Sequence, residues 1–220
     1  MMKENRLNLK RMSVTAMFCA LAFVLTYIKI PVAFLSLEIK DSMIVLCTLL
    51  FGPVSGLVIA ILVPLLELVT HSSTGVYGLV MNILSSVTFS MVTGLIYKYK
   101  KSFYGAIVGL VSGVFAVTAV MIAANLLITP YYMGVSMQEV AVLIPKMLLP
   151  FNLVKATLNA AVVLLLYKPI SNVLKKTGFL MSSQQGNTLP LKNTKRSVLV
   201  TVISMLVIVM SLLVIFLVLK

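Results

Sequence analysis

Apolar residues gather into long runs separated by short polar or basic stretches. The runs cover residues 13–30, 39–70 (broken at Gly52-Pro53), 76–97, 103–128, 148–167 and 198–219. A bilayer's hydrocarbon core is about 30 Å thick, so roughly 20 apolar residues in a helix cross it. The runs therefore predict membrane-spanning helices. The first is too long for a cleavable signal, and Tyr27-Ile28-Lys29 stands where a small-residue cleavage site would be.

The second run admits one long helix kinked at Pro53 or two helices joined by a tight turn. Basic residues decide between them, because Lys and Arg collect on cytoplasmic loops. With a turn at Gly52-Pro53 and the N-terminus inside, Lys3, Arg6, Lys10 and Arg11 share the inner face with Lys98, Lys100, Lys101, Lys168, Lys175, Lys176, Lys192, Lys195 and Arg196. Lys29, Lys40, Lys146 and Lys220 then lie outside and Lys155 lies within a span. A single kinked helix would put the Lys98 group outside, so the turn is preferred. The fold class expected is an all-α integral membrane protein, with a six-helix bundle and one additional C-terminal transmembrane helix. Residues 1–12 form a cytoplasmic basic tail, 13–176 the membrane domain, 177–196 a flexible cytoplasmic linker rich in Ser, Gln, Asn and Lys, and 197–219 the extra helix.

Composition agrees. Of 220 residues, 60% are hydrophobic and 10% charged, where a soluble domain has about a quarter charged. Soluble enzymes, secreted disulfide scaffolds and nucleic-acid readers fit poorly, and the net charge of +13 is explained by topology. Cys19 and Cys47 make neither a disulfide framework nor a metal site. No Walker A motif, nucleophile–base pair or metal cluster is visible, so the chain is expected not to be an enzyme and to hold no metal.

Ionisable residues at bilayer depth are expensive and point to function. Glu67 sits late in the third helix and Lys155 within the sixth. Asn152, Lys155 and Asn159 follow one another at three- and four-residue spacing, which puts them on one helix face. Asn82 and Asn125 add amides on neighbouring helices. One reading has these groups bonding helices together. The other, preferred for Lys155 with Asn152 beside Asn125, is a ligand site. Phe34, Phe151, Tyr131 and Tyr132 belong near the outer face, as pocket walls or as an interfacial belt. His71, the single histidine, falls in an outer loop with no role expected. Gly105, Gly109 and Gly113 recur every fourth residue and suit internal helix packing, as do Ala16 and Ala20 taken alone.

Several pieces occur together: Phe51-Gly52-Pro53 with Gly56, Ser73-Thr74-Gly75, Asn82, Ala124-Asn125-Leu126 through Thr129-Pro130-Tyr131, and Leu149-Pro150-Phe151-Asn152-Leu153-Val154-Lys155. In this order, over residues 11–176, the chain resembles the substrate-binding S components of energy-coupling factor (ECF) vitamin transporters, in particular the riboflavin-specific group. The resemblance implies an outward-facing pocket for riboflavin, bound as transported substrate with no cofactor. It implies a complex with a transmembrane coupling subunit and two cytoplasmic ATPases in a bacterial plasma membrane. It implies ligand contacts from Asn125, Asn152, Lys155, Phe151, Tyr131 and Asn82, a cap over the site from the loop around Leu35 and Asp41, and a coupling-subunit surface at Ala16 and Ala20. The run Leu66-Glu67-Leu68-Val69 departs from the group, where a basic or amide pair is expected. The linker and the seventh helix lie outside the pattern. The alternatives are an S component for another vitamin and a non-transporting scaffold.

Overall fold

Gly52 settles the ambiguous second run. In the computed structural model it stands at φ +93° and ψ 168°, a conformation open to glycine and strained for other residues. It separates α2 (Lys40–Phe51) from α3 (Pro53–Thr70), with Pro53 at the first position of α3, where its missing N–H costs nothing. Arg11 donates to the carbonyl of Phe51 and to Ser55 Oγ at 3.1 Å, tying the turn to the N-terminal helix and placing a cation at the C-terminus of α2.

The structure describes residues 2–177, 179 and 194–218. The remaining helices are α1 (Met2–Leu25), α4 (Gly75–Tyr99), α5 (Phe103–Met133), α6 (Met137–Leu143), α7 (Leu149–Lys176) and α8 (Thr194–Val218). Strands β1 (Ile30–Val32) and β2 (Leu35–Leu37) pair as an antiparallel hairpin between α1 and α2. A π-helical turn (Ile144–Leu148) joins α6 to α7. That turn contains Pro145, which has no N–H to donate to the helical ladder.

The structure adds detail in three places. The basic segment 1–12 is helical from Met2 onward, continuous with the first span in α1. The first span ends at Leu25, and the loop expected after it is a β-hairpin. A helix not expected from the sequence, α6, precedes α7, capped by a Ser136–Glu139 capping box. Residues 182–187 of the expected linker, with Lys192 and Lys220, lie outside the described residues.

All 12 residues of α2 are buried, and it packs on α1, α3, α4 and α7. It is the central post of the bundle. Apolar side chains from α1 (Val14, Phe18, Ala22), α3 (Ile59, Ala60, Val63) and α7 (Ala156, Val163) pack into the same core as its own. α4 and α5 touch closely along the glycine row. A Cβ on Gly109 would stand 2.9 Å from the carbonyl oxygen of Thr93, and one on Gly113 2.4 Å from Thr93 Oγ1. Those glycines therefore serve helix packing. Among the described residues, four helical stretches are long and apolar enough to cross a membrane: residues 53–70, 75–99, 104–133 and 137–176.

Candidate functional site

At the end of the bundle away from Gly52, a cavity of about 460 Å³ opens beneath the hairpin. That volume falls in the range of small-molecule sites. The hairpin supplies Pro31, Ala33, Phe34, Leu35 and Ser36; α4 supplies Tyr77, Met81, Asn82 and Ser85; α5 supplies Met121, Asn125, Thr129 and Tyr132; α7 supplies Phe151, Asn152 and Lys155. Its walls are thus mostly apolar, with convergent amides and hydroxyls, the ammonium groups of Lys29 and Lys155, and the carboxylates of Glu38 and Glu67.

The amides are anchored to their own helices. Asn125 donates to the carbonyl of Met121 at 2.7 Å and accepts from Thr129 at 3.0 Å. Asn152 donates to the carbonyl of Leu148 at 2.7 Å, and its amide oxygen has no partner among the described residues. Lys155 donates to the carbonyl of Ser36 at 3.3 Å and has no carboxylate within ion-pair distance among the described residues. The polar stripe on α7 therefore divides in two. Asn152 and Lys155 face the cavity, whereas Asn159 is a tie: it donates to the carbonyl of Glu38 at 2.9 Å and accepts from the N–H of Ser42 at 2.8 Å. This fastens the start of α2 and the end of the hairpin to α7.

One wall of the cavity is ionic. Glu67 on α3 accepts from Lys29, from Lys40 at 3.3 Å and from Asn82 at 3.0 Å. Glu38 accepts from Lys40 and from Ser36 at 3.0 Å, and lies 3.6 Å from Lys29. Lys40 is fully buried within the network. At Glu38, burial disfavours the charged form, but the ammonium groups of Lys155, Lys40 and Lys29 outweigh it and hold the carboxyl at a pKa of about 2. Glu67 is a centre of this network.

Of the residues singled out in the sequence, Asn82, Asn125, Asn152, Lys155, Phe151 and Leu35 come together around the cavity. Tyr131 does not: it is 78% exposed on the outer side of α5, and its neighbour Tyr132 supplies the ring instead, edge-on to Tyr77 with centroids 6.1 Å apart. Asp41 lies below the cavity, where it accepts from Ser86 and, at 3.5 Å, from Ser85. Ala16 and Ala20 are exposed along α1, away from the site. His71 caps α3 and joins it to α1, stacked on Tyr27 at 4.1 Å and bonded to Thr26 at 3.1 Å. Lys29, Glu38 and Lys40 were missed as members of the site. The signal was available: only 5 acidic residues occur in the chain, and three of them, Glu38, Asp41 and Glu67, fall between residues 38 and 67 and are buried together.

Comparison with known proteins matches this arrangement. The profile of the family "ECF transporter, substrate-specific component" covers residues 10–167. The chain is 33% identical over 184 residues to "Riboflavin transporter RibU" of Staphylococcus aureus (strain TCH60), covering 79% of this chain and 97% of that one. It is 26% identical over 174 residues to "Riboflavin transporter FmnP" of Bacillus subtilis (strain 168), covering 73% and 92%. A solved structure described as "Structure and mechanism of the S component of a bacterial ECF transporter" superposes with a TM-score of 0.66 at 32% identity, covering 76% of this chain and 99% of that one. With an apolar helical bundle around a roomy cleft and a profile spanning most of its length, the chain belongs to the membrane-embedded substrate-specific components of ECF transporters.

Proposed function

We propose that the chain captures riboflavin from the outer side of a bacterial plasma membrane and releases it inward when coupled to ATP-hydrolysing partners. The observation that carries this is the cavity itself. Asn125, Asn152 and Lys155 converge on it with Asn82, while Phe34, Leu35, Phe151 and Tyr132 supply apolar and aromatic surface. Riboflavin pairs a flat ring system having polar edges with a chain of hydroxyls. Amides both donate and accept and so match hydroxyls and ring carbonyls, while Lys155 donates only. The riboflavin-transporting relatives named above support the same ligand. Riboflavin here is cargo, and no resident cofactor is needed for capture.

The cytoplasmic face is the Gly52 end, with the N-terminus, because Arg11, Lys98, Lys100, Lys101, Lys175 and Lys176 gather there. The exposed Ala16 and Ala20 on α1 offer the close-packing surface for a transmembrane coupling subunit, which links the chain to two cytoplasmic ATPases. In this scheme the chain contributes binding and the partners contribute ATP hydrolysis.

Titration of the detergent-purified chain with riboflavin tests the reading. Flavin fluorescence should be quenched to saturation, and ligand at a thousand times its dissociation constant should stabilise the fold by about 4 kcal/mol. Absence of both effects with riboflavin, or their appearance only with a different vitamin, overturns the assignment.

A further inference from the structure

α8 lies beyond the residues that the family profile matches. Its side chains divide sharply by exposure. Val198, Val202, Met205, Val209, Leu213 and Phe216 are open to the surroundings, while Thr201, Ser204, Ile208 and Ser211 are covered or partly covered. Those four recur at steps of three, four and three residues, which places them on one side of the helix. α8 packs along α7, and small residues such as Ser204 and Ser211 let two helices approach closely in lipid.

Ile208 sits where α7 meets the hairpin. It packs against a cluster made by Val32, Leu37, Phe151 and Leu158. Val32 and Leu37 are buried hairpin residues, and Phe151 lines the cavity. The hairpin also holds to α7 through Lys155 to the carbonyl of Ser36 and Asn159 to that of Glu38. Any movement that lifts the hairpin must separate Val32 and Leu37 from this cluster, of which Ile208 is a part.

We infer that α8 is a brace for the hairpin: Ile208, seated against the cluster that holds Val32 and Leu37, keeps the hairpin over the cavity and slows the exit of whatever solute the cavity holds. The inference rests on the cavity being the ligand site, and not on which ligand it is. In lipid the contact acts through packing and dispersion, so its effect is graded. α8 sets how long the closed state lasts without touching the ligand.

The test uses the full chain carrying Ile208→Ala, Ser204→Leu as a wedge between α7 and α8, and Val209→Ala as a control on the exposed side. Backbone hydrogen exchange of residues 30–37 is measured without ligand, and riboflavin dissociation by recovery of fluorescence after dilution. Ile208→Ala and Ser204→Leu should speed both several-fold, on the order of five-fold for loss of a half-buried branched side chain. Val209→Ala should match the parent. Hairpin exchange unchanged in both α8 variants, or raised equally by Val209→Ala, overturns the inference. If riboflavin does not bind at all, hairpin exchange decides alone, so failure of the flavin reading is separate from failure of the brace. Should Ile208→Ala not fold, Ile208→Val is read by the same exchange measurement, with a smaller rise expected and no rise overturning the inference.

Discussion

Replacing Glu67 by glutamine tests whether the ionic wall holds the site together. The substitution keeps the shape of the side chain and removes one of the two carboxylates that face Lys29 and Lys40. Lys40 is fully buried and retains Glu38, so its charge stays compensated. Lys29 keeps only the 3.6 Å approach to Glu38, but its side chain is 26% exposed and can turn toward water. Removing one member of a buried ion pair typically costs about 3–5 kcal/mol. The partial exposure of Lys29 puts Glu67→Gln at the low end, about 3 kcal/mol. For a chain of this size that lowers the melting temperature by roughly 6–12 °C. Thermal unfolding of the detergent-purified protein, followed by circular dichroism, measures it. Adding Lys29→Met removes the surplus cation and should recover a large part of the loss. A single variant that melts within about two degrees of the parent, or a double variant less stable than the single, would refute the claim that charge balance in this network supports the fold.

Three further outcomes are expected. Lys155→Ala and Asn152→Ala should each weaken riboflavin binding by roughly ten- to a hundred-fold, the scale of one hydrogen bond involving a charged or buried group. Their melting without ligand should stay close to the parent, and equal loss of folding would instead mark these residues as bundle glue. Ala16→Trp and Ala20→Trp should keep riboflavin binding by the purified chain and abolish uptake in cells that contain the partners; lost binding would place that surface elsewhere. The Glu38 carboxylate, held at about 2 against an ordinary value of 4.5, contributes stability that is fully present above pH 4.5 and lost as the pH falls through about 2. Melting temperature should therefore decline over that acid window, and the decline should shrink in Glu38→Gln.

Much of this architecture can be read from the chain, and the parts that cannot have physical reasons. The turn at Gly52 was legible because charge asymmetry and a Gly-Pro pair agree. Asn152 and Lys155 were legible because polar groups on an apolar helix are costly unless they act. Tyr131 and Tyr132 were not separable: adjacent helical residues point about 100° apart, and sequence does not fix the rotation of α5. The hairpin was hidden because its strands are three residues each and its turn lacks Gly or Asn; Ala33 takes the positive φ, +52°, instead. Lys29 and Lys40 were assigned to outer loops by charge counting. Their inward placement depends on Glu38 and Glu67, partners brought near only by the folded chain.

The shortness and full enclosure of α2 bear on how the protein is made. At about 1.5 Å per residue its 12 residues reach about 18 Å, well short of the hydrocarbon thickness. With no side that faces lipid, it has no stable resting place in a bilayer by itself. A nascent chain must carry it as one arm of the α2–α3 hairpin until α4 and α7 close around it. Since Asn159 fastens Glu38 from 121 residues further along, and α7 supplies Phe151, Asn152 and Lys155 to the lining, the cleft is finished only after α7 emerges.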